Sequence, residues 1–192
     1  MTLLMSLLLL LAPIKVEQGR FNISKDGRKI GTEEFAVTMK GTHYIIDGKA
    51  TFGDLVMSSR MELDEKLLPV TYEVSNAQGK MRVNVKAPTA ELQTIVKGET
   101  SSTDFRFPEG GVILDTNFFH HYLVLMYRVQ AGQTKLGVFV PQEMSVGGAV
   151  VRNTGPHTYD LEIGDVKLQA TTAPDGSLTK LTVPAAKVVV ER

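Results

Sequence analysis

From residue 18 onward the chain alternates apolar and polar residues with a period of two, and this constrains its fold more than any other feature. Phe35, Val37 and Met39 share one parity, while Glu34, Thr38 and Lys40 share the other. Tyr44, Ile46, Ala50 and Phe52 line up on one side of the next segment. Leu55, Met57, Met61 and Leu63 then oppose Ser58, Arg60, Glu62 and Asp64. Val70, Tyr72 and Val74 oppose Thr71, Glu73 and Ser75, and Met81, Val83 and Val85 oppose Lys80, Arg82, Asn84 and Lys86. Strands with one apolar and one charged face build antiparallel sheets that are wetted on one side. Doubly wound parallel folds need near-continuous apolar strands separated by helices, and this chain has neither.

The turn residues agree with that reading. Asp26-Gly27, Gly41-Thr42, Gln78-Gly79 and Asp175-Gly176 fall between alternating runs, where tight hairpins require left-handed backbone. Further strands are expected at 91–97, 135–140, 149–153, 158–163, 166–172, 177–183 and 187–191, giving roughly ten to twelve in all. No linker and no fixed-period repeat interrupts residues 18–192, which read as a single antiparallel β domain. A sheet of that many strands has to curl or close, because open twisted sheets rarely pass about 10 strands while staying flat. The fold class is therefore mainly β: a curled antiparallel sheet or half-barrel with one buried helix.

That helix is expected at about 116–130, TNFFHHYLVLMYRVQ, the one stretch that leaves the period of two. Asp115 or Thr116 can cap its start and Gly132 stops it. Apolar residues cover most of its circumference, so it should lie buried against the concave face of the sheet as a plug or lid. Met1–Pro13, MTLLMSLLLLLAP, is uncharged and carries an apolar run of about ten residues. A membrane-spanning helix needs about 20, so the run reads as a signal peptide or hydrophobic leader that would place the rest in the periplasm or outside the cell.

Composition narrows the function by exclusion. Twenty-one basic residues balance 21 acidic ones, which argues against a nucleic-acid partner, since phosphate binding needs a clustered basic face. With no cysteine there is no disulfide framework, thiolate metal site, cysteine nucleophile or acylated anchor. No cofactor motif is present: neither a phosphate-binding loop nor a dinucleotide fingerprint nor a zinc-protease helix. Lys80, Arg82 and Lys86 make a basic row on one strand, best read as a solvated face. His120-His121 is the only local histidine pair, and adjacent helical residues point about 100° apart, which suits polar satisfaction better than metal binding. Asp115 or strand carbonyls are their expected partners. A catalytic role for His120, His121 and Asp115 would need a nucleophile that the sequence does not name.

The stretch GRFNISKDGRKIGTEEFAVTMKGTHYIIDGKATFGDLVMSSRMELDEKLLPVTYEV runs through a short strand, a turn, Ile30-Gly31, a long strand, a Tyr44-bearing strand and Leu68-Pro69. Over residues 19–75 this pattern resembles bacterial envelope domains of unknown function that share the half-barrel fold of the lipoprotein localisation factors. The resemblance implies a concave apolar face closed by helical structure and able to take acyl chains. It carries over no catalytic residue, and one helix stands here where the localisation factors have several.

The leading expectation is an exported, non-enzymatic binding protein holding a lipid or other hydrophobic ligand under a helical lid. Its expected contacts are Phe118, Phe119, Tyr122, Leu125 and Met126 on the helix, with Met57 and Met61 on the facing wall. The alternative is a structural or scaffolding envelope module that docks a protein partner and has a filled interior.

Overall fold

The computed structural model describes residues 14–192; the leader expected at 1–13 lies outside the described residues. All strands among the described residues belong to one sheet. The first arm is an unbroken meander: β1 (Glu17–Lys25), β2 (Arg28–Lys40), β3 (His43–Phe52), β4 (Leu55–Leu63), β5 (Pro69–Asn76), β6 (Gly79–Lys86), β7 (Thr89–Val96) and β8 (Glu99–Arg106). A two-residue strand, β9 (Val112–Ile113), follows, and then the helix α1 (His121–Gln130). The second arm comprises β10 (Lys135–Val140), β11 (Ser145–Gly155), β12 (Thr158–Ile163), β13 (Val166–Thr172), β14 (Leu178–Val183) and β15 (Val188–Glu191).

The order across the 15-stranded sheet is β8 to β1 in reverse, then β15 to β9 in reverse. The two arms thus meet where the first strand pairs with the last, Asn22–Lys25 against Val188–Glu191. Every neighbouring pair is antiparallel except β9 and β10, joined in parallel over two residue pairs because the chain crosses through α1 between them. The sheet stays open, since β8 and β9 do not pair, yet it curls until its far ends touch: Phe105 of β8 stacks on Phe139 of β10 with ring centroids 4.2 Å apart.

Fifteen strands exceed the ten to twelve expected. The principal omissions are β8 and β9. β8 reads ETSSTDFR, with all but Phe105 exposed, so an edge strand with no apolar parity left no periodic signal. β9 is too short to have a period. The helix is also shorter than 116–130: Thr116–His120 is irregular, with turns at Thr116, Asn117 and His120, and regular α-helix begins at His121. Of the expected turn glycines, Gly27 follows Asp26 with both φ angles positive, the tight-hairpin geometry anticipated. Gly79 instead opens β6, where Ala77 and Gln78 make the turn.

The parity seen in the sequence sorts side chains as expected. Phe35 and Val37 of β2, Ile46 and Ala50 of β3, and Met57, Met61 and Leu63 of β4 face the concave side and are buried. Met39, at the end of β2, is 53% exposed in spite of its parity, because its strand outruns the covered face. α1 lies in the concavity, with every residue from Leu123 to Val129 buried. Among the described residues, no helix is long and apolar enough to cross a membrane.

Candidate functional site

The inward face of the sheet has two gaps in its apolar row, and they are adjacent. Gly48 on β3 stands opposite Ser59 on β4, and on its other side opposite Phe35 on β2. Glu33, two residues before Phe35, shares the inward parity and is completely buried. Into this patch His120 inserts from the start of α1. Its ring takes the space a side chain at Gly48 would need: a Cβ there would lie 2.6 Å from His120 Nδ1 and closer still to Cε1.

Hydrogen bonding fixes the proton positions. Glu33 accepts from the backbone N–H of Phe119 at 2.8 Å and of His120 at 2.7 Å, so a strand carboxylate caps the positive end of the helix. Glu33 Oε1 also lies 2.8 Å from His120 Nδ1. A carboxylate only accepts, so Nδ1 carries the proton, and in the neutral ring Nε2 accepts from the Ser59 hydroxyl 3.3 Å away.

His121 takes the opposite tautomer. Its Nδ1 accepts from the Asp115 backbone N–H at 3.0 Å, which leaves an Nε2–H buried with no partner. Burial, reinforced by the neighbouring His120, holds His121 well below the ordinary histidine pKa, so it stays neutral. The Asp115 carboxylate accepts from the Tyr72 hydroxyl, from Asn117 N–H at 2.8 Å and from Asn117 Nδ2 at 3.1 Å. Burial first, then the Asp115 charge, pushes the Tyr72 hydroxyl well above the usual tyrosine range, so it remains a donor.

Ser59, His120 and Glu33 stand in the order of a nucleophile, its base and an orienting carboxylate. Ser59 is 6% exposed and the other two are fully buried. The chain of bonds works as a pin that fastens the helix to the sheet. The partners expected for the histidines are met in part: Asp115 binds His121 through its backbone, whereas Glu33 and Ser59 were not anticipated. Both were nonetheless visible as polar residues at inward parity, Glu33 before Phe35 and Ser59 between Met57 and Met61. Among the described residues, no group of three or more His, Asp or Glu side chains is placed to hold a metal ion.

The open part of the concavity lies on the other flank of α1. A cleft of about 580 Å³ runs between the start of the helix and the second arm. Its floor is Leu114, Val138 and Leu168, all buried; Phe119, just ahead of α1, and Tyr122 on it form one wall, with Ile163, Val183 and Val188 opposite. Of the seven expected contact residues, the structure brings only Phe119 and Tyr122 to this cleft. Phe118 packs with Met57 and Ala50 in a small separate cluster, and Leu125, Met126 and Met61 fill the main core. A larger depression of about 740 Å³ lies elsewhere, among the outward-facing Arg20, Glu34, Asp47, Lys49 and Ser58. It is shallow and open, with charged side chains around it, and it also reaches Phe35, Gly48 and Ser59.

Fold and site together define a single curled antiparallel sheet with a pinned helix and a half-enclosed apolar cleft. Compared with protein-family models, curated proteins and solved structures, the chain matches none.

Proposed function

We propose that the protein is a non-enzymatic binder of a lipid or other hydrophobic molecule, held in the cleft between α1 and the second arm. The observation that carries this reading is the cleft itself: about 580 Å³ with an apolar floor that the side chains of the described residues leave unfilled. Each Å² of apolar ligand surface taken from water contributes about 25 cal/mol before ordering costs, so a cleft of this lining favours apolar guests. Phe119 and Tyr122 are the contact residues, and the pin at the start of α1 holds that wall in position. The curled sheet with a helix on its concave side is also the architecture implied by the half-barrel resemblance, and the uncharged leader supports export to the envelope.

The test is organic extraction of natively purified protein followed by mass spectrometry, together with titration of the uncharged fluorophore N-phenyl-1-naphthylamine. Saturable fluorophore binding, displaced by an extracted lipid, is the expected result. Clean extracts and no saturable binding would sink the carrier reading and favour the scaffold that docks a protein partner. Edman sequencing of protein from cell fractions tests the export proposal: a start downstream of Ala12 in an envelope fraction is expected.

A further inference from the structure

The cleft contains charges of only one sign. Asp115 sits at its floor and Glu143 and Asp165 at its exposed mouth, and no Lys, Arg or His lines it. This is a local imbalance, since the chain as a whole carries 21 charges of each sign. Several acids elsewhere on the sheet have a basic partner, among them Glu73 with Lys80 at 2.6 Å, Glu162 with Arg152 at 2.8 Å, Asp47 with Arg60 at 2.9 Å and Glu191 with Lys180 at 2.5 Å, whereas Glu34, Glu91 and Asp160 have none among the described residues; what sets the cleft apart is that no base lines it. Among the described residues, neither Glu143 nor Asp165 forms an ion pair.

The nearest lysines in sequence do not correct this. Lys167 lies between the lining residues Val166 and Leu168 and so has the outward parity, and Lys187 pairs with Asp26 at 3.1 Å. The usual device for holding an anion, a free helix N-terminus, offers little here: the Glu33 carboxylate takes the Phe119 and His120 N–H groups just ahead of α1, and the Tyr122 and Leu123 N–H groups bond the Phe119 and His120 carbonyls. An acyl chain ending in carboxylate or phosphate would therefore bring its charge to a mouth of like sign.

Building on the carrier reading above, we infer that the cleft selects an amphiphile with a cationic, amine-bearing head: its chain on Leu114, Val138 and Leu168, its head between Glu143 and Asp165. Exposed Val146 and Val166 at the same mouth cover the first carbons of the chain while the head stays in water.

Displacement of bound N-phenyl-1-naphthylamine by dodecylamine, dodecanol and dodecanoate tests this at neutral pH and low salt, below micelle formation. The expected order is amine, alcohol, carboxylate, with about tenfold between amine and carboxylate that shrinks as salt is added. In a Glu143→Gln, Asp165→Asn variant, both positions being exposed, dodecanol is expected to bind as before and the amine to lose its advantage. Dodecanoate displacing as well as the amine, dodecanol matching the amine, none of the three displacing a bound fluorophore, or a variant that keeps the preference would each overturn the head-group inference while leaving the cleft reading in place. No fluorophore binding at all would remove the cleft reading, and this inference with it.

Discussion

The consequences at the scale of single residues gather where His120 meets the sheet. Glu33 has no exposed surface and serves three donors, two backbone and one imidazole. Glu33→Ala leaves those donors buried and unmatched, so it should cost about 3 kcal/mol or more by urea denaturation, far more than Arg152→Ala in a solvent-exposed pair. Gly48 gives a contrast of sign. Alanine usually strengthens a strand relative to glycine, yet here its methyl group would meet the His120 ring, and Gly48→Ala should destabilise by about 1–3 kcal/mol. Gly147, on β11 with nothing within 4 Å of its would-be Cβ, should tolerate alanine without loss. His121 adds a pH dependence. Its native pKa lies well below the ordinary value of about 6.5, so in mildly acidic solution the unfolded chain takes up a proton that the native state refuses. Stability contributed by His121 is therefore complete above that value and falls as pH drops below it, with a slope approaching about 1.4 kcal/mol per pH unit. Urea midpoints between pH 7 and pH 5 should show this, and His121→Gln should flatten the profile by that one proton.

Among the elements, α1 separates what packs from what is available to a ligand. Leu125 is fully buried in the core, so Leu125→Ala should cost about 2–5 kcal/mol and leave the fluorophore affinity of the folded fraction unchanged. Phe119→Ala and Tyr122→Ala remove cleft wall and should weaken that affinity about fivefold with a smaller loss of stability. The division was only partly legible in advance. The all-round apolar composition of 116–130 announced a buried helix, but which residues face a cleft depends on how the helix is rotated, and a tertiary contact sets that rotation. The contact was written as gaps in the apolar parity at Gly48 and Ser59 and as an inward Glu33, in three segments that only strand pairing brings together. Strands β2 to β7 were legible because one face is wet and the other dry. β8 was not, because both its faces meet water.

The two arms of the molecule are joined at a seam where the first described strand pairs with the last. Each arm is a meander of local hairpins, whereas the pairing of β1 with β15 links residues at opposite ends of the described chain. Arg192 reinforces the seam from beyond β15: its guanidinium lies 4.9 Å from the Phe35 ring centroid and 2.7 Å from Glu17 Oε2. Local hairpins form at little loop-closure cost, while the seam must close most of the chain, so it is the contact most dependent on the rest being in place. Arg192→Ala removes one cation–π and ion-pair contact and should cost about 1 kcal/mol. Deleting residues 188–192 removes β15 itself, leaving β1 and β14 as two new unpaired edges and uncovering Phe21, Ile23 and Leu181. If the seam is what makes the arms one cooperative unit, the truncated chain should lose its single sharp thermal transition by circular dichroism, or fail to accumulate in folded form. Residual structure should then survive as separate, broader transitions of the two arms. A truncated protein that melts in one transition near the full-length temperature would mean that α1 and the Phe105–Phe139 contact join the arms without the seam.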